Sequence, residues 1–170
     1  RKIDAYLVPT DDFHASEYVG DYFKCRKYIT GFTGSAGTAV IMQDMAGLWT
    51  DGRYFLQAAD QLEGSTIQLF KMGEPEVPTV HQFLADKLEK GMCLGFDGRT
   101  VTAREADKLE ELLREKEITF SVNDDLIGEI WNDRPALSCE PVMELDVKWA
   151  GESRADKIAK IRKQMKEKKA

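Results

Sequence analysis

Histidine is almost missing from this 170-residue chain: His14 and His81 stand against 30 acidic residues. The common metal centres draw on converging His, Cys and carboxylate ligands, so the supply of donors is thin from the start. Cysteine is scarce as well. Cys25, Cys93 and Cys139 are odd in number, widely spaced and in no C-x-x-C arrangement. That leaves neither a disulfide framework nor a zinc knuckle, and it favours the reduced thiols of a cytoplasmic protein. No apolar run approaches the roughly 18 residues of a membrane span, and the first residues lack the charged-then-apolar order of a signal peptide. Positive charge is also short. The formal net charge is -6, whereas nucleic-acid binding needs a clustered positive field. These absences predict neither a nucleic-acid nor a membrane partner.

What is present is an ordinary globular composition, 42% hydrophobic and 32% charged, enough for one main domain. Charge is spread unevenly. Residues 1–149 hold 16 Lys and Arg against 27 Asp and Glu, and residues 150–170 hold 8 against 3. The change of sign marks a boundary.

"IDAYLVP" (Ile3–Pro9) suits a strand ending at its proline. A polar, aromatic-bearing stretch follows, read as loop with one short helix. "TAVIM" (Thr38–Met42) and "GLWTD" (Gly47–Asp51) are β-prone runs close enough for an antiparallel hairpin. From Arg53 the pattern becomes a helical stripe of Phe55, Leu56, Ala58, Ala59 and Leu62, stopped by Gly64. "TIQLFKM", "MCLGFD" and "ITFSV" read as strands, and "TVHQFLADKLE" as a helix opened by Pro78 and Thr79. "TAREADKLEELLREK" is an amphipathic helix, with Thr102 and Glu105 placed as a capping box and Ala106, Leu109, Leu112 and Leu113 on its apolar side. Strands alternating with helices after an initial hairpin predict an α/β domain with a mixed sheet and flanking helices. We expect this domain over residues 1–134, a linker over 135–152 and a helix over 153–170. That helix is capped by Ser153, and its apolar seam of Ala155, Ile158, Ile161 and Met165 lies among lysines. Such a half-apolar helix at the end is expected to open a second domain, with further chain on either side of the given sequence.

Motifs that carry chemistry are few. "GFTGSAGTAV" (Gly31–Val40) has the spacing G-x-x-G-x-x-G, lacks a following Lys-Ser/Thr and leads into a strand, so it fails the phosphate-loop tests. Ser35 is not in a G-x-S-x-G elbow. The glycines are expected to serve a bend. "DDFH" places Asp11 and Asp12 beside His14, a weak metal candidate that reads better as a solvated turn. Asp124–Asp125 resembles a helix start. Arg53, after the Asp51–Gly52 turn, either pairs with a local acid or presents its planar fork to a carboxylate or carbonyl. No complete catalytic set is found.

"YLVPTDDFHASEY", "YITGFTGSAGTAVI", "LWTDGRYFLQAADQL" and "IWNDRPA" occur in order over nearly the whole chain. Together they closely resemble the N-terminal domain of the Xaa-Pro aminopeptidases of the creatinase/prolidase family. The resemblance implies a non-catalytic α/β domain with a ribonuclease-H-like motif, ahead of a C-terminal catalytic domain. There, two Asp, one His and two Glu hold two metal ions, usually manganese, that activate water against the bond before a proline in second position. None of those ligands is assigned to this chain, and the fragment alone is expected to be inactive. The resemblance further implies a homodimer, a partnership with the chain's own catalytic domain, and peptides with proline at position two. It has this domain support dimer assembly and help wall the active-site entrance, with Arg53 a substrate-contacting residue and Phe32 a weaker candidate for that wall. A stand-alone peptide-binding or oligomerisation module is the alternative. A separate hydrolase built on Asp11, Asp12 and His14 is a third.

Overall fold

A strand of alternating faces sits at the centre of the sheet. In a computed structural model that describes residues 2–168, β1 (Ala5–Pro9) is flanked by the antiparallel β2 (Thr38–Met42) and the parallel β5 (Cys93–Phe96). The hairpin continues into β3 (Ala46–Thr50), which pairs Thr38 with Trp49 and Ile41 with Ala46. Outside it lies the parallel β4 (Ile67–Lys71), and β6 (Thr119–Ser121) adds in parallel to β5. The six-stranded order is β4-β3-β2-β1-β5-β6. Only β2 runs against the rest, so the expected mixed α/β sheet is present.

Period-two alternation sorts the core onto two faces. Leu7, Val40, Trp49, Phe70, Leu94 and Phe96 point to one face, where they meet Phe83, Leu84 and Leu88 in and just beyond α3 (Val80–Lys87) and Leu109 and Leu113 on α4 (Ala103–Leu113). Trp49 stacks on Phe70 at 4.0 Å, and its indole N–H donates to the Pro78 carbonyl at 2.8 Å. Tyr6, Val8 and Ala39 point the other way, towards Ile127 of α5 (Leu126–Ile130), with Cys25 and Ile29 of α1 (Cys25–Thr30) packed against them. Leu48 shares a cluster with Phe32, Ala58 of α2 (Phe55–Gln61) and Leu62. Helices thus cover both faces, as parallel strands require.

Several boundaries moved for physical reasons. β1 starts at Ala5, because Asp4 leaves the ladder to accept the Cys93 N–H with its carboxylate at 3.0 Å. The stretch read as loop with one helix holds a 3-10 turn (Asp21–Phe23) before α1. Thr102 does cap α4 by accepting the Glu105 N–H. Leu112, expected on the buried side, is 47% exposed, one step round the helix from Leu109 and Leu113. Thr79 forms a full capping box with Gln82 on α3.

The chain divides into two compact units, Arg1–Ser138 and Cys139–Ala170. The second contains a short helix, α6 (Val147–Ala150), inside the span expected as linker, and then α7 (Arg154–Glu167) capped by Ser153. Ile158, Ile161 and Met165 are each at least half exposed.

Candidate functional site

The glycine-rich bend joins α1 to β2, and each glycine tested has a mechanical reason. Gly31 closes α1 in the left-handed conformation (φ 73°), its N–H donating to the Lys27 carbonyl. A Cβ on Gly34 would lie 2.3 Å from Cζ of Phe32 and 2.8 Å from Cδ1 of Tyr54. The bend's backbone groups are committed inward. Arg26 donates from Nε to Thr10 Oγ1 (2.6 Å), from Nη1 to the Phe32 carbonyl (2.9 Å) and from Nη2 to the Gly34 carbonyl. Thr50 and Thr10 hydroxyls donate to the carbonyls of Ala36 and Gly37. The N–H groups of Phe32 and Thr33 are taken by Thr30 Oγ1 and Gln61 Oε1.

Arg26 is only 4% exposed and, among the described residues, forms no salt bridge. Burial pushes its pKa down to about 10, still far above neutrality, so the guanidinium remains charged. Backbone carbonyls and the Phe32 ring, whose centroid is 4.7 Å away, compensate it. No pattern in "KCRKY" distinguishes this buried cation from its exposed neighbours.

Arg53 follows the turn at the end of β3. Its backbone N–H, Nε and Nη2 all reach the Asp51 carboxylate, at 3.1, 2.9 and 2.9 Å. The Arg53 hydrogen bond holds Asp51 below the ordinary carboxylate range and moves Arg53 upward in turn. Nη1 lies outside this fork, and the side chain is 64% exposed. Its guanidinium carbon sits 5.1 Å from the Tyr54 ring centroid. Tyr54 OH is 2.7 Å from Ser35 Oγ, and its ring meets Phe32 edge-on at 5.9 Å. Phe32 itself is 0% exposed. The wall residue anticipated there is therefore an interior ring, packed beneath Gly34 and Tyr54, with no face for a ligand to touch.

Arg53 and Ser35 border a cavity of about 650 Å³ outside the carboxyl ends of β1 and β3, lined also by the first residues of α3 and α4. Crevices in this position are the usual ligand sites of open α/β sheets. Asp11, Glu17, Arg53 and Glu105 supply its charge, and His81 lines it as well. Burial raises the Asp11 carboxyl above its ordinary value. His81 Nε2 and Glu105 Oε1 approach to 2.7 Å. The contact falls outside hydrogen-bond geometry, since that buried nitrogen has no hydrogen-bond partner among the described residues.

The "DDFH" residues do not converge. Asp12 accepts the N–H groups of His14 and Ser16 and the Ser16 hydroxyl, an arrangement that builds a turn. Among the described residues no group of three or more His, Cys, Asp or Glu is placed to hold a metal ion. The donors present do not fit a two-metal centre, so no chemical step is drawn through metal in this chain.

Behind α1 lies a second cluster. Asp125 caps α5 through the Gly128 N–H (2.8 Å) and accepts from Arg134 Nη1 (2.5 Å) and Arg99 Nη2 (2.8 Å). Burial opposes its ionisation, but these bonds outweigh it and the net shift is downward. Arg134, in "IWNDRPA", also lies over Tyr22.

Two family models, both described as creatinase/prolidase N-terminal domain, match residues 1–127 and 133–170. Aminopeptidase P2 of Arabidopsis thaliana is 44% identical over 96% of this chain and 23% of its own length. A probable Xaa-Pro aminopeptidase P of Tuber melanosporum is 42% identical over 100% of the chain and 28% of its own length. The chain spans about a quarter of the length of these curated relatives. The crystal structure of X-prolyl aminopeptidase from Caenorhabditis elegans, described as a cytosolic enzyme with a di-nuclear active site, superposes with a TM-score of 0.81 at 38% identity, covering 100% of this chain and 28% of that one. The N-terminal domain of cytoplasmic peptidase PepQ from Mycobacterium tuberculosis gives a TM-score of 0.51 at 26% identity, covering 75% of this chain and 87% of that one.

Proposed function

The chain belongs to the creatinase/prolidase N-terminal domain family, and from that premise we propose that it is the non-catalytic N-terminal domain of a metal-dependent Xaa-Pro aminopeptidase. The observation that carries this reading is a match over the full chain, in sequence and in fold, to an X-prolyl aminopeptidase. In this reading the chemistry belongs to a C-terminal catalytic domain holding two manganese ions. The enzyme removes the residue before a proline, works in the cytoplasm and assembles as a homodimer.

This chain's own part is to support assembly and border the substrate path. Arg53 is its contact residue. With Nε and Nη2 paired to Asp51, the guanidinium has Nη1 left to offer to a substrate carboxylate or carbonyl oxygen. Phe32 acts from behind, as the support of Tyr54.

The test assays release of the first residue from Xaa-Pro peptides, with manganese, by the 170-residue chain and by the full-length protein. Turnover by the full-length protein alone is expected. Robust turnover by the short chain would overturn the reading, and a full-length protein that binds such peptides without cleaving them would favour a peptide-binding module. Within the active enzyme, Arg53→Ala is expected to raise KM about tenfold or more, as for loss of a charge-assisted hydrogen bond.

A further inference from the structure

Four side chains form a continuous stack under the rim of the cavity. The Arg26 guanidinium faces the Phe32 ring at 4.7 Å, Phe32 meets Tyr54 edge-on at 5.9 Å, and Arg53 lies 5.1 Å from the Tyr54 ring centroid. The inner end is buried and fixed by three hydrogen bonds, whereas the outer end is 64% exposed. Gly34 leaves the space in which the two rings approach. Ser35, three residues before β2 begins, anchors the Tyr54 hydroxyl at 2.7 Å.

We propose that Tyr54 is a positioning residue for substrate: it holds the Arg53 guanidinium at the cavity rim in the orientation that leaves Nη1 available. Asp51 alone does not settle that orientation. The fork fixes the two groups relative to each other, but an ion pair this open to solvent, at 64% and 37% exposure, restrains its side chains weakly. The Tyr54 ring removes the freedom that remains, because it is tethered at its hydroxyl and braced at its edge. The immobilised fork then loses less rotamer entropy when a substrate oxygen binds. Ring and hydroxyl have separable duties, one lying against the cation and the other holding the ring still.

The inference rests on the substrate role proposed for Arg53, and a double-mutant cycle in the full-length enzyme separates the two. Tyr54→Leu is expected to raise KM for an Xaa-Pro tripeptide about three- to fivefold with kcat little changed, in keeping with loss of an exposed cation–ring contact. Tyr54→Phe and Ser35→Ala keep the ring and are expected to give about half that effect or less. In an Arg53→Ala background Tyr54→Leu should add nothing, because it acts through Arg53. Equal losses in both backgrounds would overturn the positioning role while leaving that of Arg53 intact. A normal KM in Arg53→Ala would overturn both. If Tyr54→Leu fails to fold, the same cycle run with Ser35→Ala decides the matter by the same criterion.

Discussion

The guanidinium carbon of Arg134 lies 3.8 Å from the centre of the Tyr22 ring, and its Nε donates to the Tyr22 carbonyl at 2.8 Å across 112 residues of sequence. This contact joins the segment after α5 to the turn before α1, on the face opposite α3 and α4. Arg134 is 9% exposed, and its remaining nitrogens reach Asp125 and the Cys25 sulfur. Replacing it by alanine leaves Asp125 with Arg99 and the Gly128 N–H as partners and uncovers Tyr22. We expect a loss of about 1–3 kcal/mol, below the range for a fully broken buried pair because Asp125 keeps Arg99 and some solvent. Urea denaturation measures it, and Arg134→Lys should recover only part, since a point charge cannot serve Asp125 and Tyr22 together.

The same cluster sets an acid response. The pKa of Asp125 is lowered in the folded protein, as its bonds with Arg134 and Gly128 prevail over burial. Its contribution to stability is therefore whole above the unfolded carboxylate value near pH 4 and is lost as pH falls through the folded value. Asp125→Asn should be less stable than the parent at pH 7, with the gap narrowing towards pH 2–3. Unfolding midpoints of both proteins across that range check it; a gap that stays constant would show that Asp125 does not act through its charge.

Gly34→Ala tests the close approach at the bend. The added methyl would sit within 2.9 Å of Phe32 and Tyr54 atoms, and neither ring has room to retreat without disturbing the Leu48–Ala58–Leu62 cluster. Overpacking of this kind costs about 1–3 kcal/mol. Ser35→Ala, a change at the exposed end of the same bend, should cost much less, because a single exposed hydrogen bond is worth about 1 kcal/mol or less. Comparable melting-temperature losses in the two variants would sink the steric argument.

The fold was legible wherever periodicity is local. Thr38–Met42 was read at its final bounds, since alternation and flanking turns fix a strand without distant help. Helices α3 and α4 announced their starts through Thr79 and Thr102. Leu112 was misplaced because it lies at the margin of the apolar stripe, where a 100° step decides between core and solvent. At the candidate site, Arg53 was visible from its turn, but its companions were not. Arg26 reads as one more cation in "KCRKY", and only the assembled bend shows that carbonyls from Phe32 and Gly34 converge on it. Phe32 entered only through the family resemblance, as a wall residue on the glycine-rich bend, and nothing local in the sequence marks it as buried. The glycines let the chain fold over the ring.

Arg26 and Arg134 also make a controlled pair, because both are buried arginines over aromatic rings with different compensation. Arg134 has a carboxylate, whereas Arg26 has only a hydroxyl and two carbonyls. Arg26→Met removes the donors and leaves the Phe32 and Gly34 carbonyls wanting partners, a loss of about 2–4 kcal/mol at 1–2 kcal/mol for each unsatisfied group. Arg134→Met loses an ionic pairing as well, leaving Asp125 ion-paired with Arg99 alone among the described residues. Salt screens that lost pairing, since the carboxylate is 23% exposed, but does little for neutral carbonyls. Raising sodium chloride from 0.1 to about 1 M should therefore shrink the Arg134→Met deficit and leave the Arg26→Met deficit nearly unchanged, each measured against the parent at the same salt. An Arg26→Met deficit that fell equally would mean that its charge interacts with acidic groups beyond the bend, and that the carbonyls are not its principal counterweight.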